Sequence, residues 1–256
     1  MNRPKIGLAL GSGSARGLAH IGVLKVLKQA GVPIDFVAGS SMGGFIGVLF
    51  ANGIDPEMME NLAIHLKRKH LLDLTVPGFG FISGDKIKDL IYLLTHRKNL
   101  EQLKIPTAVV ATDLLTGEKV VFKSGSVADA VRASISIPGV FTPVINERQI
   151  LVDGGVVDRV PISTVREMGA DIVIAVDVLP QINQPARIKN IVDVIMQSLE
   201  IMERRIFDQQ LLSADVLIQP DVSEISPASF NRVEECVQKG EEAAKAELEK
   251  IRKLIW

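Results

Sequence analysis

The apolar run at residues 5–10 ends in glycine and reads as a buried strand. Residues 11–17 form a glycine- and serine-rich loop. From 18 to 29 the apolar residues Leu18, Ile21, Leu24, Val26 and Leu27 fall at helical spacing, and Gly31 supplies the stop. Residues 34–38 predict a second strand, 39–43 a turn, and 44–51 the start of a second helix. Two strand–turn–helix units within about fifty residues predict a parallel sheet with helices packed on its faces.

Asp55 and Pro56 have the form of an N-cap and first helical residue. The pattern extends that helix to about Leu72, with Met58, Met59, Leu62, Ile64, Leu66 and Leu71 set against Lys67, Arg68 and Lys69. A loop with two phenylalanines, Phe79 and Phe81, follows. Residues 85–95 predict an amphipathic helix, and 107–111 a strand. Residues 119–122 pair beside that strand after the Thr116-Gly117 turn. Residues 126–134 are helical. Pro138 and Pro143 exclude regular helix from the SISIPGVFTPV stretch, because proline lacks the N–H that a helix needs. Residues 149–152 lead a strand into Asp153-Gly154-Gly155, and 172–178 read as another buried strand. The remainder is mainly helical, at 188–212 and 233–254, with a strand near 216–218. No repeat or linker interrupts the chain, so residues 1–256 read as one domain, with a helical C-terminal part at 188–256.

The 256 residues are 47% apolar and 23% charged, which is a globular composition. Twenty-nine basic and 30 acidic residues leave no basic field for nucleic acid. The single cysteine, Cys236, excludes an internal disulfide framework and a cysteine-rich zinc site. A strand beginning near Lys5 leaves no room for a signal peptide. No apolar run is long enough to span a bilayer. The expectation is a cytoplasmic protein, with peripheral contact at a membrane surface left open. Oligomeric state is not fixed by the sequence.

Three loops carry candidate chemistry. In VAGSSMGGF, Ser41 stands between Gly39 and Gly43 at the end of a predicted strand, as a nucleophile at a sharp strand–helix turn does. A serine that simply caps the next helix has the same pattern. A nucleophilic serine needs a proton acceptor. Of the four histidines, His65, His70 and His96 lie in charged, solvated segments. His20 follows the glycine loop and reads as a helix-borne hydrogen-bonding group. None lies in the last 160 residues. Asp153, in LVDGGVV, also emerges at a strand end. A carboxylate is a poor base in water, but burial raises its basicity. The plainer reading of Asp153 is a turn closed with Gly154.

The third loop, LGSGSARGLAH, offers backbone N–H groups at the head of a helix, which suits an oxyanion. A dinucleotide loop is the competing reading. However, Gly17 misses the register of that fingerprint, where Arg16 stands. Asp35 lies at the start of its strand, where a ribose-binding acid would need the end.

Taken together and in order, these pieces resemble the patatin-like phospholipase family in its small single-domain form, over roughly residues 5–177. The family's glycine-rich oxyanion loop is met by Gly11, Ser12, Gly13, Ser14, Ala15, Arg16 and Gly17. Its G-x-S-x-G elbow spans residues 39–43, with Gly39, Met42 and Gly43 around Ser41. Its D-G-[GA] motif is Asp153, Gly154 and Gly155, and its S-x-S-I-P-x-x-F-x-P-V stretch is met by residues 134–144. The resemblance implies a three-layer α/β/α fold with a mainly parallel central sheet. It also implies a Ser41–Asp153 dyad without catalytic histidine, and hydrolysis of phospholipid or lysophospholipid esters through an acyl-enzyme. No metal or cofactor is implied. Serines at positions 12 and 14 depart from the family's glycines and leave open which N–H groups form the hole. Residues 56–96, with Met58, Met59, Phe79, Phe81, Ile87 and Leu90 to Leu94, offer an acyl channel or lid. Lys67, Arg68 and Lys69 offer contacts to anionic headgroups. The alternative is a regulatory or scaffolding protein with a vestigial site, its partner face formed by Ile191, Ile195, Leu199, Met202 and Ile206.

Overall fold

The computed structural model describes residues 3–66, 73, 80–179, 188 and 191–255. The elements in chain order are β1 (Ile6–Leu10), α1 (Ala19–Gln29), β2 (Phe36–Ser40), α2 (Met42–Asn52), α3 (Pro56–His65) and α4 (Asp85–Leu94). Next come β3 (Thr107–Asp113), β4 (Lys119–Phe122), α5 (Val127–Ser134), β5 (Val144–Ile145) and β6 (Ile150–Asp153). The chain continues through α6 (Ile162–Glu167), β7 (Ile172–Val176), α7 (Ile191–Leu211), β8 (Val216–Ile218) and α8 (Val233–Ile255). Short 3-10 turns lie at Ser14–Leu18 and Gly154–Val156.

One mixed sheet holds all the described strands. Strands β3, β2, β1, β7 and β8 run parallel side by side, while β4 and β6 pair antiparallel with β3, and β5 with β6. The register on β3 brings two strand ends together. β4 occupies one flank of residues 109–112. β2 pairs with residues 107–110 and β6 with residues 111–113, so both lie on the opposite flank, one after the other. Because β2 is parallel and β6 antiparallel, their carboxyl ends point at each other, with Ser40 opposite Val110 and Asp153 opposite Ala111.

Alternation along each strand sends its side chains to two layers. Ile6, Leu8, Leu10, Val37, Ile174 and Val176 pack beneath α1, α2, α3 and α8. The same face of β3, through Val109, packs under α2, α4 and α5. The other face presents Ala9, Ala38, Ala108, Val173 and Ala175 to α6 and to Leu211 at the end of α7. Small residues on that face let α6 sit close. The result is the three-layer α/β/α arrangement expected from the sequence. At the crossing of α1 and α8 the backbones nearly touch. A Cβ on Gly22 would stand 1.9 Å from the Val237 carbonyl oxygen, and one on Gly240 would stand 1.9 Å from that of Ala19.

Several boundaries differ from the sequence pattern. The second strand runs two residues later than expected, and α2 begins at Met42, so the turn between them contracts to Ser41. α3 ends at His65 because Leu66 is extended (ψ 101°). Of the stretch predicted to continue it, residues 67–72 lie outside the described residues, and with them Lys67, Arg68, Lys69, His70 and Leu71. Phe79 does too. The two-residue β5 and the six-residue α6 carry no period long enough to be read from sequence. Asp55 does cap α3, accepting from the Glu57 N–H at 3.0 Å. Among the described residues no helix is long and apolar enough to cross a membrane.

Candidate active site

Ser41 occupies a single-residue turn between β2 and α2 with φ 52° and ψ −122°, a conformation that side-chain-bearing residues rarely adopt. Two close approaches make this turn. A Cβ on Gly39 would lie 2.4 Å from the Gly43 carbonyl oxygen, and one on Gly43 would lie 2.2 Å from that of Leu10. Only glycine fits at either position. Ser134 fixes the turn from α5: its Oγ accepts the Ser41 N–H at 2.7 Å and donates to the Val110 carbonyl at 2.6 Å.

Asp153 arrives from the opposite direction on β6. The Ser41 hydroxyl donates to Asp153 Oδ2 at 2.5 Å. Oδ1 of Asp153 accepts the Gly155 N–H at 2.8 Å. The backbone of Asp153 is held as well, its N–H donating to the Ser136 carbonyl at 2.9 Å and its carbonyl accepting from the Thr112 hydroxyl at 2.8 Å. Ser134 and Ser136 therefore each steady one of the two catalytic candidates, a physical use for the SxSIP stretch. Both Ser41 and Asp153 are buried. Burial pushes the Asp153 carboxyl up to about 6, against the opposing pull of the bonds from Ser41 and Gly155.

The glycine-rich loop crosses above this pair. Four of its N–H groups are engaged: Gly11 with Val176, Ser12 with Arg159, Ala15 with Pro227 and Arg16 with Gly13. The N–H groups of Gly13 and Ser14 have no acceptor among the described residues. Ser14 adopts a positive φ of 50°, where a glycine would be unstrained. Its hydroxyl donates to the Pro227 carbonyl at 2.8 Å, which anchors this departure from the family's glycine. His20 is fully buried and bonds the Gly11 carbonyl through Nε2 at 2.7 Å. Burial lowers its pKa to about 4, so at neutral pH it is an uncharged brace for the loop. His65 and His96 are exposed, as their segments suggested. Asp35 pairs with Arg3 at the start of β2, far along the strand from Ser41.

A cleft opens over Ser41 and Asp153, with walls from Ser12, Gly13, Ser14, Ile137, Pro138 and Val156. Arg159, Leu179 and Pro227 complete one side, and α7 contributes Leu199, Glu200 and Glu203. None of the described residues between 56 and 96 lines it. Met59 and Ile91 from that stretch are core, while Met58, Phe81 and Leu93 are exposed.

Three charged groups of the cleft, Arg159, Glu200 and Glu203, escaped the sequence reading. Arg159 is buried and paired with Asp177. Its backbone carbonyl accepts from Ser12 at 2.9 Å. Arg16, read as a loop residue, is buried and pairs with Glu200 at 2.6 Å, tying α7 to the loop. Burial pushes Glu203 up to about 8. Arg159 opposes that rise, and Asp153 and Glu200 add to it. Arg159, Glu200 and Glu203 belong to no short motif, and contacts such as Arg16–Glu200, 184 positions apart, leave no local signal.

A model of the patatin-like phospholipase family matches residues 8–166. An uncharacterised NTE family protein of Mycobacterium tuberculosis is 40% identical over 186 residues, covering 72% of this chain and 52% of that protein. Patatin-like phospholipase domain-containing protein 6 of Mus musculus is 38% identical over 181 residues, 68% of this chain and 13% of that one. The chain thus spans about half the length of the mycobacterial relative and a small part of the mouse one. Among solved structures, VipD from Legionella pneumophila superposes with a TM-score of 0.65 at 16% identity, covering 98% of this chain and 67% of that one. The type III effector ExoU does so with a TM-score of 0.54 at 12% identity, covering 98% and 53%. These two share the fold.

Proposed function

The chain belongs to the patatin-like phospholipase family, and on that premise we propose that it hydrolyses carboxylic esters of lipids through Ser41 and Asp153. The observation that carries this reading is the 2.5 Å hydrogen bond from Ser41 Oγ to Asp153 Oδ2. A buried carboxylate with its pKa raised to about 6 is a stronger base than an exposed one and is still ionised at pH 7.

Ser41 Oγ attacks the ester carbonyl as its proton passes to Asp153. The N–H groups of Gly13 and Ser14 receive the oxyanion. Collapse of the tetrahedral intermediate breaks the bond to the alkoxy oxygen, which takes the proton from Asp153 and leaves as the alcohol. The acyl-enzyme then accepts a water whose proton goes to Asp153. A second collapse returns that proton to Ser41 and releases the fatty acid. Asp153 carries each proton in turn, and His20, neutral and bonded to Gly11, takes no part. The turn at Ser41 holds the hydroxyl at the strand end, which lowers the entropy lost in reaching the attack geometry.

Phospholipid and lysophospholipid are the substrates proposed. Release of fatty acid from phosphatidylcholine and lysophosphatidylcholine, followed in the native chain and in Ser41→Ala, tests this. Turnover in the native chain and none in a folded Ser41→Ala supports it. Equal turnover in both removes Ser41 from the reaction.

A further inference from the structure

α7 has two faces of opposite character. Leu199, Glu200 and Glu203 turn to the cleft, and Ile195 approaches Gly139. On the other side Ile191, Val194, Ile201, Met202 and Ile206 are all exposed, Ile191 by 66% and Met202 by 58%. At about 100° per residue these five fall within an arc of about 140°, whose margin toward Leu199 also holds the half-buried Ile195. The sequence stripe that joined Leu199 to Met202 and Ile206 is thus divided. Leu199 lines the cleft, and the other two face outward.

α8 is the internal comparison. It is slightly longer, at 23 residues against 21. Its outer face carries charge pairs such as Lys239–Glu242 and Lys245–Glu241, and Leu254 is its one exposed large apolar residue. That is the surface of a helix facing water. The described outer face of α7 carries one charge, Arg205. A cluster of exposed apolar side chains of this kind, with only Ser198 and Arg205 among the described polar residues within it, marks a contact site.

We propose that the outer face of α7 docks the protein on a lipid surface, with Ile201, Met202 and Ile206 at the boundary between headgroups and acyl chains. The inference rests on the reading of the site as a lipid-ester hydrolase. It places the docking face one residue along the helix from the cleft wall, since Glu200 faces inward and Ile201 outward. A lipid ester then passes from bilayer to cleft along a single helix. An amphipathic helix lying in the interfacial plane has this division of faces. Arg205 extends a cation from the same face toward anionic headgroups, which favours a bilayer over a second copy of this chain.

The test uses flotation with vesicles of phosphatidylcholine and phosphatidylglycerol, on a Ser41→Ala background so that the lipid stays intact. The expected result is co-flotation of Ser41→Ala and at least a tenfold loss on adding Ile201→Glu and Met202→Glu, with unchanged circular dichroism and melting temperature. In the otherwise native chain those two substitutions should keep hydrolysis of a short-chain soluble ester within twofold and lower hydrolysis of vesicle lipid at least tenfold. Flotation that is absent, or equal with and without the glutamates, overturns the proposal. So does a native dimer that the glutamates split without any vesicle binding, which assigns the face to a second copy. If flotation behaves as expected but the native chain cleaves no ester, the docking face stands and the hydrolase reading falls.

Discussion

The Ser41 hydroxyl and the Asp153 carboxylate meet at 2.5 Å because β2 and β6 end head-on against consecutive residues of β3. Val110 pairs with Ser40 and Ala111 with Asp153, so the sheet itself sets the approach of two side chains 112 positions apart. The Ser41 turn then lifts its side chain out of the strand line and into the cleft. A site set by strand register is held by the most rigid part of the fold, which suits chemistry that tolerates little misplacement.

Two carboxyl groups are expected to set the pH dependence of the proposed reaction. Asp153 must be ionised to accept a proton, so kcat/KM on a neutral soluble ester should rise through about pH 6. Glu203 is neutral below about pH 8, and its ionisation adds a second negative charge to the cleft, within electrostatic reach of Asp153, where it opposes the build-up of charge on an oxyanion. A fall above about pH 8 is expected in the native chain. Glu203→Gln should keep the rise near 6 and lose the fall. A variant that keeps the alkaline limb would show that it belongs to another group.

The strain at Ser41 is measurable with two variants. Ser41→Ala and Ser41→Gly both remove the hydroxyl, but only glycine relaxes the φ 52°, ψ −122° backbone. Strain of this kind amounts to about 1–3 kcal/mol, against which glycine loses about 0.5–1 kcal/mol through unfolded-state entropy. Ser41→Gly should therefore exceed Ser41→Ala in urea stability by about 1 kcal/mol. A glycine variant that is the less stable of the two would mean the turn stores no strain.

Burying Asp153 should also be visible in stability. Its folded pKa of about 6 lies above the unfolded value of 3.8, so the native state holds this proton more tightly. Its contribution is fully present below the unfolded value and is lost as pH rises through about 6. Asp153→Asn has no such loss. The stability of Asp153→Asn relative to the native chain should therefore increase between pH 4 and pH 7, by up to about 3 kcal/mol. A difference that does not change with pH would show that the carboxyl is not desolvated as the structure places it.

Much of this site was legible in short motifs, because close backbone approaches demand particular residues. Gly39 and Gly43 flank Ser41 since no side chain fits there, and Asp153 precedes glycines where the chain turns back beneath Val110. The parallel sheet was legible for a similar reason: its central strands are apolar runs followed by periodic helices. The walls of the cleft were not. Leu199, Glu200 and Glu203 reach the site only because α7 crosses it, and the Arg159–Asp177 pair forms between separate loops. The role of His20 was half legible, since its position after the glycine loop suggested a hydrogen-bonding group. Only the fold shows that it holds Gly11. The residues offered as an acyl channel, 56–96, were chosen for apolar content, which core positions such as Met59 and Ile91 share.

The central claim is that Ser41 is an activated nucleophile whose proton goes to Asp153. Intact-mass measurement after incubation with a fluorophosphonate tests it most directly, on the native chain, Ser41→Ala and Asp153→Asn. One adduct on the native chain is predicted, mapping to Ser41, absent from Ser41→Ala and formed at least tenfold more slowly in Asp153→Asn. An adduct that survives in Ser41→Ala, or that forms as fast without the Asp153 carboxylate, would contradict it.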